Sequence, residues 1–215
     1  MTQLAKPSTF SENAKTISAS MAQRLKPLGF KKRRNGFNRR LDNGLIHQLS
    51  IFSVGAYSID HGKFYVHVGC YVPEAELYRR NVTEPNWVTD ALCTIRGTFP
   101  QDYLSLRKVA ENLDMLTPYI DNALKALASF NDYADIMGRP SVADQLPSKK
   151  SLWFETPQPL VKTCIQIARE DAEGAARTIQ HYLAAQKVAE NPHLGHIKVV
   201  SKWAEGMGLL RSTGT

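Results

Sequence analysis

The sequence predicts an α+β fold: an N-terminal helix packed on an antiparallel sheet of 3–4 strands, followed by a helical C-terminal half. Three observations indicate it: a helical apolar stripe at the start, strand-like runs between residues 36 and 99, and mostly helical periodicity beyond residue 100. The hydrophobic content of 43% and charged content of 22% are those of a globular chain with a buried core.

The first helix is predicted from apolar residues that recur every three or four positions. They share one helical face: Phe10, Ala14, Ile17, Met21 and Leu25. Pro27 and Gly29 follow as stop signals, so the helix is expected from about Phe10 to Lys26.

A hairpin is predicted next, because Asn43-Gly44 separates two strand-like runs and both residues tolerate positive φ. With these two residues as the loop, Leu41 pairs with Ile46 and Arg40 with His47. Residues 63–72 form a third strand, in which apolar side chains alternate with Tyr65, His67, Gly69 and Tyr71. Ala91 to Phe99 is a fourth, and from Pro100 onward the pattern is helical.

Three segments are expected along the chain. Residues 1–137 form the α+β domain, and residues 138–159, with four prolines and three serines, form a connection. Residues 160–208 form a helical hairpin, with one helix of about 25 residues from Leu160 and a second from about Leu194 to Met207. We expect this hairpin to pack on the same body.

Positive charge is concentrated at the start of the chain. Residues 1–50 carry ten Lys or Arg against two Asp or Glu, whereas the remaining 165 carry seventeen against eighteen. Such a local excess indicates an anionic partner. The candidate polyanion-binding residues are Lys31, Lys32, Arg33, Arg34 and Arg40, with Phe30 and Phe37 available for stacking if exposed.

The stretches LKPLGFKKRRNGFNRR, LSIFSVGAY and FYVHVGCYV follow one another as a helix end and three strands. This order resembles the bacterial family catalogued as domain of unknown function 4304, over roughly residues 10–72, or to residue 99 if CTIRGTF is included. The resemblance implies a bacterial domain in which a helix leads into an antiparallel sheet. It implies no catalytic residues. It also implies that the basic residues after Gly29 are in part a feature of the family.

Recognisable catalytic and cofactor motifs are absent from the sequence, including phosphate-binding loops, dinucleotide fingerprints, zinc-protease helices and serine elbows. No cofactor or metal site is expected. One possible pocket on a sheet face remains: His47, Tyr65, His67, Tyr71 and Arg96. Two imidazoles and an arginine there could act as acid and base on an anionic substrate. The preferred interpretation is that these are amphipathic residues of a half-exposed sheet face.

The preferred functional hypothesis is a non-enzymatic binding protein that engages a protein partner with an acidic surface, and an immunity- or defence-type role is compatible with it. Nucleic-acid binding through the basic region is the alternative, and an enzyme using His47 and His67 is a second alternative. No apolar run approaches the roughly 18 residues of a membrane span, so a cytoplasmic protein is expected. Cys70, Cys93 and Cys164 are expected to be buried, reduced thiols.

Overall fold

A computed structural model describes residues 10–54, 62–79, 85–138, 153–155, 158–189 and 192–210. These residues form one antiparallel sheet and eight α-helices, which confirms the α+β class. The sheet has six strands in sequence order: β1 (Lys31–Arg33), β2 (Gly36–Arg40), β3 (Ile46–Val54), β4 (Lys63–Tyr71), β5 (Ile95–Ser105) and β6 (Trp153–Glu155). The four central strands are those predicted from the sequence, and β1 and β6 are additional.

The helices precede, interrupt and follow the sheet. Their bounds are α1 (Phe10–Leu25), α2 (Glu76–Arg79), α3 (Leu106–Glu111), α4 (Thr117–Ala128), α5 (Tyr133–Gly138), α6 (Gln158–Ala168), α7 (Ala172–Lys187) and α8 (Leu194–Gly206). A 3-10 turn continues α1 from Lys26 to Leu28, and Gly29 ends it with a φ of 84°. The predicted first helix is therefore confirmed to within one residue.

The β2–β3 hairpin forms, but the predicted register is wrong by one residue. Arg40 pairs with Ile46 and Arg39 with His47. The loop has three residues: the Gly44 amide donates to the Leu41 carbonyl, the Leu41 amide donates to the Leu45 carbonyl, and Gly44 has a φ of 91°. The loop is a turn that ends with a glycine in the left-handed conformation. It therefore contains three residues, whereas the sequence predicted two.

The fourth strand was placed too early, and the helix expected from Pro100 does not begin there. Asp90–Leu92 is a short 3-10 helix, and β5 continues from Ile95 to Ser105. Phe99 pairs with Val66 and Leu104 with Phe64, so the four residues 100–103 bulge from the ladder. Proline is tolerated in a strand at such a bulge, because no ladder hydrogen bond is needed there.

One face of the sheet is covered by α1, α3 and α4. Ile17, Met21 and Leu25 from α1 are fully buried and pack against the sheet. Their partners on the sheet and on the other two helices share one core: Phe37, Leu49, Val66, Val68, Leu106, Val109, Leu116, Ile120 and Leu127. We call this face of the sheet the helix-covered face.

The C-terminal part consists of three helices, not the predicted two. The expected long helix breaks at Glu170, which has a φ of 61°, and Asp171 caps α7 by accepting from the Gly174 amide at 2.8 Å. Val161 and Ile165 of α6 pack with the sheet residues Cys70 and Ile95, while other α6 residues pack with α7 and α8. The sixth strand lies inside the segment predicted as a connection, whose residues 139–152 and 156–157 lie outside the described part.

All three cysteines are buried and free, as the sequence predicts. Within the described parts of the chain, none of the helices has the length and apolar character that a membrane crossing requires.

Candidate functional site

The strand register separates the two histidines of the predicted pocket. His47 pairs with Cys70 and lies on the helix-covered face, whereas His67 pairs with Ser50 and Thr98 on the opposite face. We call this opposite face the outer face. Two side chains on opposite faces of a sheet cannot reach one reacting atom. The structure therefore does not bring His47 and His67 together as an acid–base pair.

His47 is fully buried and connects three parts of the core. Its Nδ1 lies 2.8 Å from Nη2 of Arg39, and its Nε2 lies 2.9 Å from the carbonyl oxygen of Phe130. Burial lowers the pKa of His47, the hydrogen bond to the Phe130 carbonyl opposes this shift, and the Arg39 charge adds to it. A neutral imidazole with both nitrogens engaged inside the core is a structural link rather than a site open to substrate.

The other four residues of the predicted pocket lie on the outer face. Tyr71 is buried with Ile46, Val88 and Cys93, so it is covered. Tyr65 and His67 are half-buried, with ring centroids 4.5 Å apart, and Nδ1 of His67 lies 4.0 Å from Oδ2 of Asp90. Burial lowers the pKa of His67, while Asp90 raises it and Arg96 lowers it further.

The basic run forms an edge strand and the start of a turn. Lys31, Lys32 and Arg33 form β1, and Arg34 begins the turn to β2; all four are exposed. We call these four residues the basic edge. Lys31 and Arg33 lie on the outer face, because they pair with Asn38 and Gly36, whereas Lys32 pairs with Phe37 on the helix-covered side.

The other two arginines of the run lie on opposite faces, and both phenylalanines are buried. Arg40 is exposed on the outer face, while Arg39 is half-buried on the helix-covered face, where its guanidinium lies 5.1 Å from the centre of the Phe30 ring. Phe30 and Phe37 are core residues with 4% and 1% exposure. They are therefore not available for stacking on a base.

Two clefts flank the basic edge. The first, on the outer face, has a volume of about 420 Å³, and we call it the outer cleft. Its lining includes Arg33, Arg34, Asn35, Gly36, Gln48, Ser50, Trp87, Thr89 and Asp90. The second, of about 430 Å³, lies beneath the end of α1 and is lined in part by Lys26, Lys31 and Lys32. The basic edge thus presents cations to cavities on both sides of the sheet.

Residues 85–93 cross the outer face and form one wall of the outer cleft. Asn38 fixes this segment through both polar atoms of its side chain: Nδ2 donates to the Val88 carbonyl at 2.9 Å, and Oδ1 accepts from the Val88 amide at 2.7 Å. The neighbouring Trp87 indole lies against Gly36, where a Cβ would be 3.6 Å from Nε1. The position of Trp87 therefore depends on a side chain of β2.

Sequence reasoning missed Trp87, Asn38 and Gln48 as cleft residues. A tryptophan in an otherwise polar stretch, EAELYRRNVTEPNW, is a signal for Trp87. Asn35-Gly36 is a turn signal for the β1–β2 hairpin. The contact between Asn38 and Val88 spans 50 residues, so no local pattern contains it.

Within the described residues, no three His, Cys, Asp or Glu side chains cluster so as to hold a metal ion. Burial raises the pKa of Cys93 well above its usual value and that of Cys164 to about 12, so both are protonated thiols at neutral pH. Neither is an activated nucleophile.

Searches among curated proteins and among solved structures give no match to this chain. A family model does match, over residues 21–125, which run from the second half of α1 into α4 and include β1 to β5. The basic edge, Asn38 and Trp87 all lie inside this segment. Residues 21–125 thus match the family described as domain of unknown function (DUF4304), which confirms the resemblance that the sequence indicates.

Proposed function

We propose that the protein is a non-enzymatic binding protein of the bacterial cytoplasm, which engages an acidic surface of a partner protein through its basic edge. An immunity- or defence-type role, in which the protein neutralises or regulates that partner, fits the proposal. The observation that carries it is the position of four consecutive basic residues, Lys31 to Arg34, in the edge strand β1 and the turn that follows it.

Two further features support a partner-binding role. No acidic side chain among the described residues forms an ion pair with any of the four, so their charges are not neutralised within the described fold. Charges at the rim of an interface accelerate association with an oppositely charged partner. The separation of His47 from His67 also weighs against the enzyme alternative.

The test compares the natural protein with a variant in which Lys31, Lys32, Arg33 and Arg34 are all replaced by Ala. Each is used for affinity purification from nuclease-treated lysate, followed by chemical cross-linking and mass spectrometry. We expect an acidic protein that is recovered with the natural chain, is lost with the variant, and cross-links to Lys31 or Lys32.

A matched control removes four exposed charges elsewhere: Lys125, Lys187, Lys198 and Lys202, each to Ala. This variant is expected to retain the partner. Retention of the partner by the basic-edge variant would contradict the proposal. If no protein depends on the basic edge, but labelled RNA or DNA shifts at about 50 mM salt and is released as salt rises, the nucleic-acid alternative replaces it.

A further inference from the structure

The outer cleft has the size and composition of a small-molecule site. Its volume of about 420 Å³ lies within the range of about 300–1,000 Å³ that is typical of ligand pockets. The floor is formed by Gly36, Gln48 and Ser50 on adjacent strands, and the walls are the β1–β2 turn and residues 87–90. One wall therefore carries cations, and the other an aromatic ring and a carboxylate.

The cationic wall is formed by Arg33 and Arg34, which flank the start of the turn. Arg34 has a φ of 54°, which is uncommon for a residue other than glycine and fixes the direction in which the chain leaves β1. Guanidinium groups bind phosphate through pairs of parallel hydrogen bonds. Two adjacent arginines at the mouth of a cleft are thus suited to a phosphate.

The opposite wall is held in place before any ligand arrives. The Asn38 side chain forms hydrogen bonds with both the carbonyl and the amide of Val88. Val88 itself is fully buried among Ile46, Tyr71 and Cys93. Trp87 therefore stands on an anchored backbone, and its indole lines the cleft. A positioned aromatic ring loses little conformational freedom when a planar group stacks on it.

The acidic group of the cleft is distant from the arginines along the sheet. Asp90 lies beside His67 of β4, at 4.0 Å, whereas the arginines belong to the β1 side. Three strand spacings of about 4.8 Å separate β1 from β4, or roughly 14 Å. Among the described residues, Asp90 contacts His67 and forms no ion pair with Arg33 or Arg34, so it leaves the cationic wall unneutralised and is placed to accept hydrogen bonds from a ligand's far end.

Gln48 supplies the polar group of the floor. Its side chain is 1% exposed, and Sγ of Cys93 lies 4.0 Å from its Oε1. A primary amide offers both donors and acceptors, and this pairing is suited to the edge of a heterocyclic base.

We propose that the outer cleft binds a nucleoside monophosphate, with the phosphate on Arg33 and Arg34, the base against Trp87, and Gln48 and Asp90 contacting polar groups of the base or sugar. Two arginines, an aromatic ring and two polar side chains in one cleft match the phosphate, the base and the polar groups of such a ligand. The two proposals share Arg33 and Arg34, whereas Lys31 and Lys32 take no part in nucleotide binding and so distinguish it from binding of the partner.

The test is isothermal titration calorimetry of the full chain with AMP, GMP, CMP and UMP, each to about 5 mM. At least one is expected to bind saturably, while the matching nucleoside and ribose 5-phosphate bind at least tenfold more weakly. Arg34→Ala and Trp87→Leu are each expected to weaken binding at least tenfold. Lys32→Ala, on the other side of β1, is the matched control and is expected to leave the affinity unchanged.

Trp87→Leu is checked for folding by circular dichroism. If this variant does not fold, two other measurements test the proposal. They are the nucleotide affinity of Arg34→Ala and the response of the Trp87 indole N–H signal in an NMR titration. A 5′-phosphorylated oligonucleotide distinguishes whether the natural ligand is a free nucleotide or the end of a nucleic acid. If the oligonucleotide binds more tightly than the monophosphate and still depends on Arg34, the ligand is a nucleic-acid end. If it binds more weakly, the ligand is a free nucleotide. The proposal is overturned if no monophosphate binds, if ribose 5-phosphate binds equally well, or if Arg34→Ala changes nothing.

A negative result with nucleotides does not contradict the partner proposal, because partner binding is measured with a different ligand. Conversely, a variant with Lys31 and Lys32 changed to Ala is expected to bind the nucleotide normally. Each proposal can therefore be contradicted without contradicting the other.

Discussion

Arg39 donates a hydrogen bond to His47 inside the core, with Nη2 and Nδ1 2.8 Å apart. Because a carbonyl can only accept, Nε2 of His47 carries the proton that it donates to Phe130. The imidazole is therefore neutral, with Nδ1 as the acceptor. This pair links β2 and β3 to the chain that follows α4, and it explains why a histidine lies on the helix-covered face.

The neutral state of His47 makes stability depend on pH. Burial lowers its pKa in the folded protein below the value of about 6.5 for an unfolded chain. The unfolded state therefore binds the proton more readily, so the free energy of unfolding falls as pH decreases from about 6.5 towards the lowered pKa. Between pH 7.5 and 5.5 this residue contributes a loss of at most about 1.4 kcal/mol.

The measurement is urea unfolding at both pH values for the natural chain and for His47→Gln. We expect the variant to be less stable at pH 7.5 but to lose less stability on acidification. His181→Gln, an exposed substitution on α7, is the control and is expected to keep the natural pH dependence. An unchanged pH dependence in His47→Gln would contradict a neutral, buried His47.

Replacing Asn38 with Ala is expected to loosen the wall of the outer cleft. The substitution leaves the buried amide and carbonyl of Val88 without the partners they have at 2.7 and 2.9 Å. Unpaired buried groups cost about 1–3 kcal/mol, so the urea midpoint is expected to fall. Amide hydrogen exchange is expected to accelerate at residues 87–90. Asn122→Ala, an exposed change on α4, is the control, and equal stability of the two variants would contradict the role of Asn38.

The main helix and the central strands were predictable because their side chains repeat with the period of the element. The stripe of Ile17, Met21 and Leu25 is buried as expected, and the alternating apolar side chains of β4 are buried as well. Strand β2 lacks such alternation and was predicted from the turn that follows it. Strand β1 was not predictable in this way, since Lys-Lys-Arg has no alternation and is a strand only through its pairing with β2. Tertiary pairing decided its structure, not local preference.

The candidate site was predicted only on its cationic side. The charge of residues 31–34 is visible in the sequence, but the aromatic wall depends on Asn38 holding a backbone 50 residues away. The predicted pairing of Arg40 with His47 was wrong because the loop contains three residues. His47 was placed incorrectly for a different reason: its face relative to His67 is set by the pairing of β3 with β4, in which His47 lies opposite Cys70, and the sequence analysis predicted no register for that pair.

The charges of β1 are also expected to keep the protein from associating with itself. An edge strand exposes unpaired backbone groups, and lysines there oppose pairing with a second chain. Changing Lys31, Lys32 and Arg33 to Thr, Val and Thr removes the charges and favours strand structure. We expect concentration-dependent association of this variant in sedimentation velocity at about 150 mM salt.

The control for this variant removes three exposed charges from the C-terminal helices: Lys187, Lys198 and Lys202, each to Ala. It is expected to remain at the association state of the natural chain. Salt near 1 M shortens the screening length to about 3 Å, so the natural chain is expected to associate more there than at low salt. A β1 variant that associates no more than this control would show that the charges do not protect the edge.

Gly69 of β4 is expected to tolerate no side chain. A Cβ at this position would lie 2.6 Å from Cβ and Sγ of Cys93 and 2.8 Å from the carbonyl oxygen of Ile95. Cβ of Cys93 is fixed to the backbone and the Ile95 oxygen is part of it, so a change in the Cys93 rotamer cannot relieve the clash and the backbone must move. Overpacking of this kind costs about 1–3 kcal/mol, and Gly69→Ala is expected to lower the urea midpoint accordingly. Gly206→Ala, at a position with no atom within 4 Å of the added Cβ, is the control and is expected to be neutral or stabilising.

The same substitution is expected to affect the outer cleft, because Cys93 contacts Gln48 on its floor at 4.0 Å. Displacing Cys93 changes the position of that amide, so Gly69→Ala is expected to weaken nucleotide binding even under conditions where the variant is fully folded. Calorimetry of folded Gly69→Ala and Gly206→Ala side by side measures this. Equal affinities would mean that the floor does not depend on the close contact between Gly69 and Cys93.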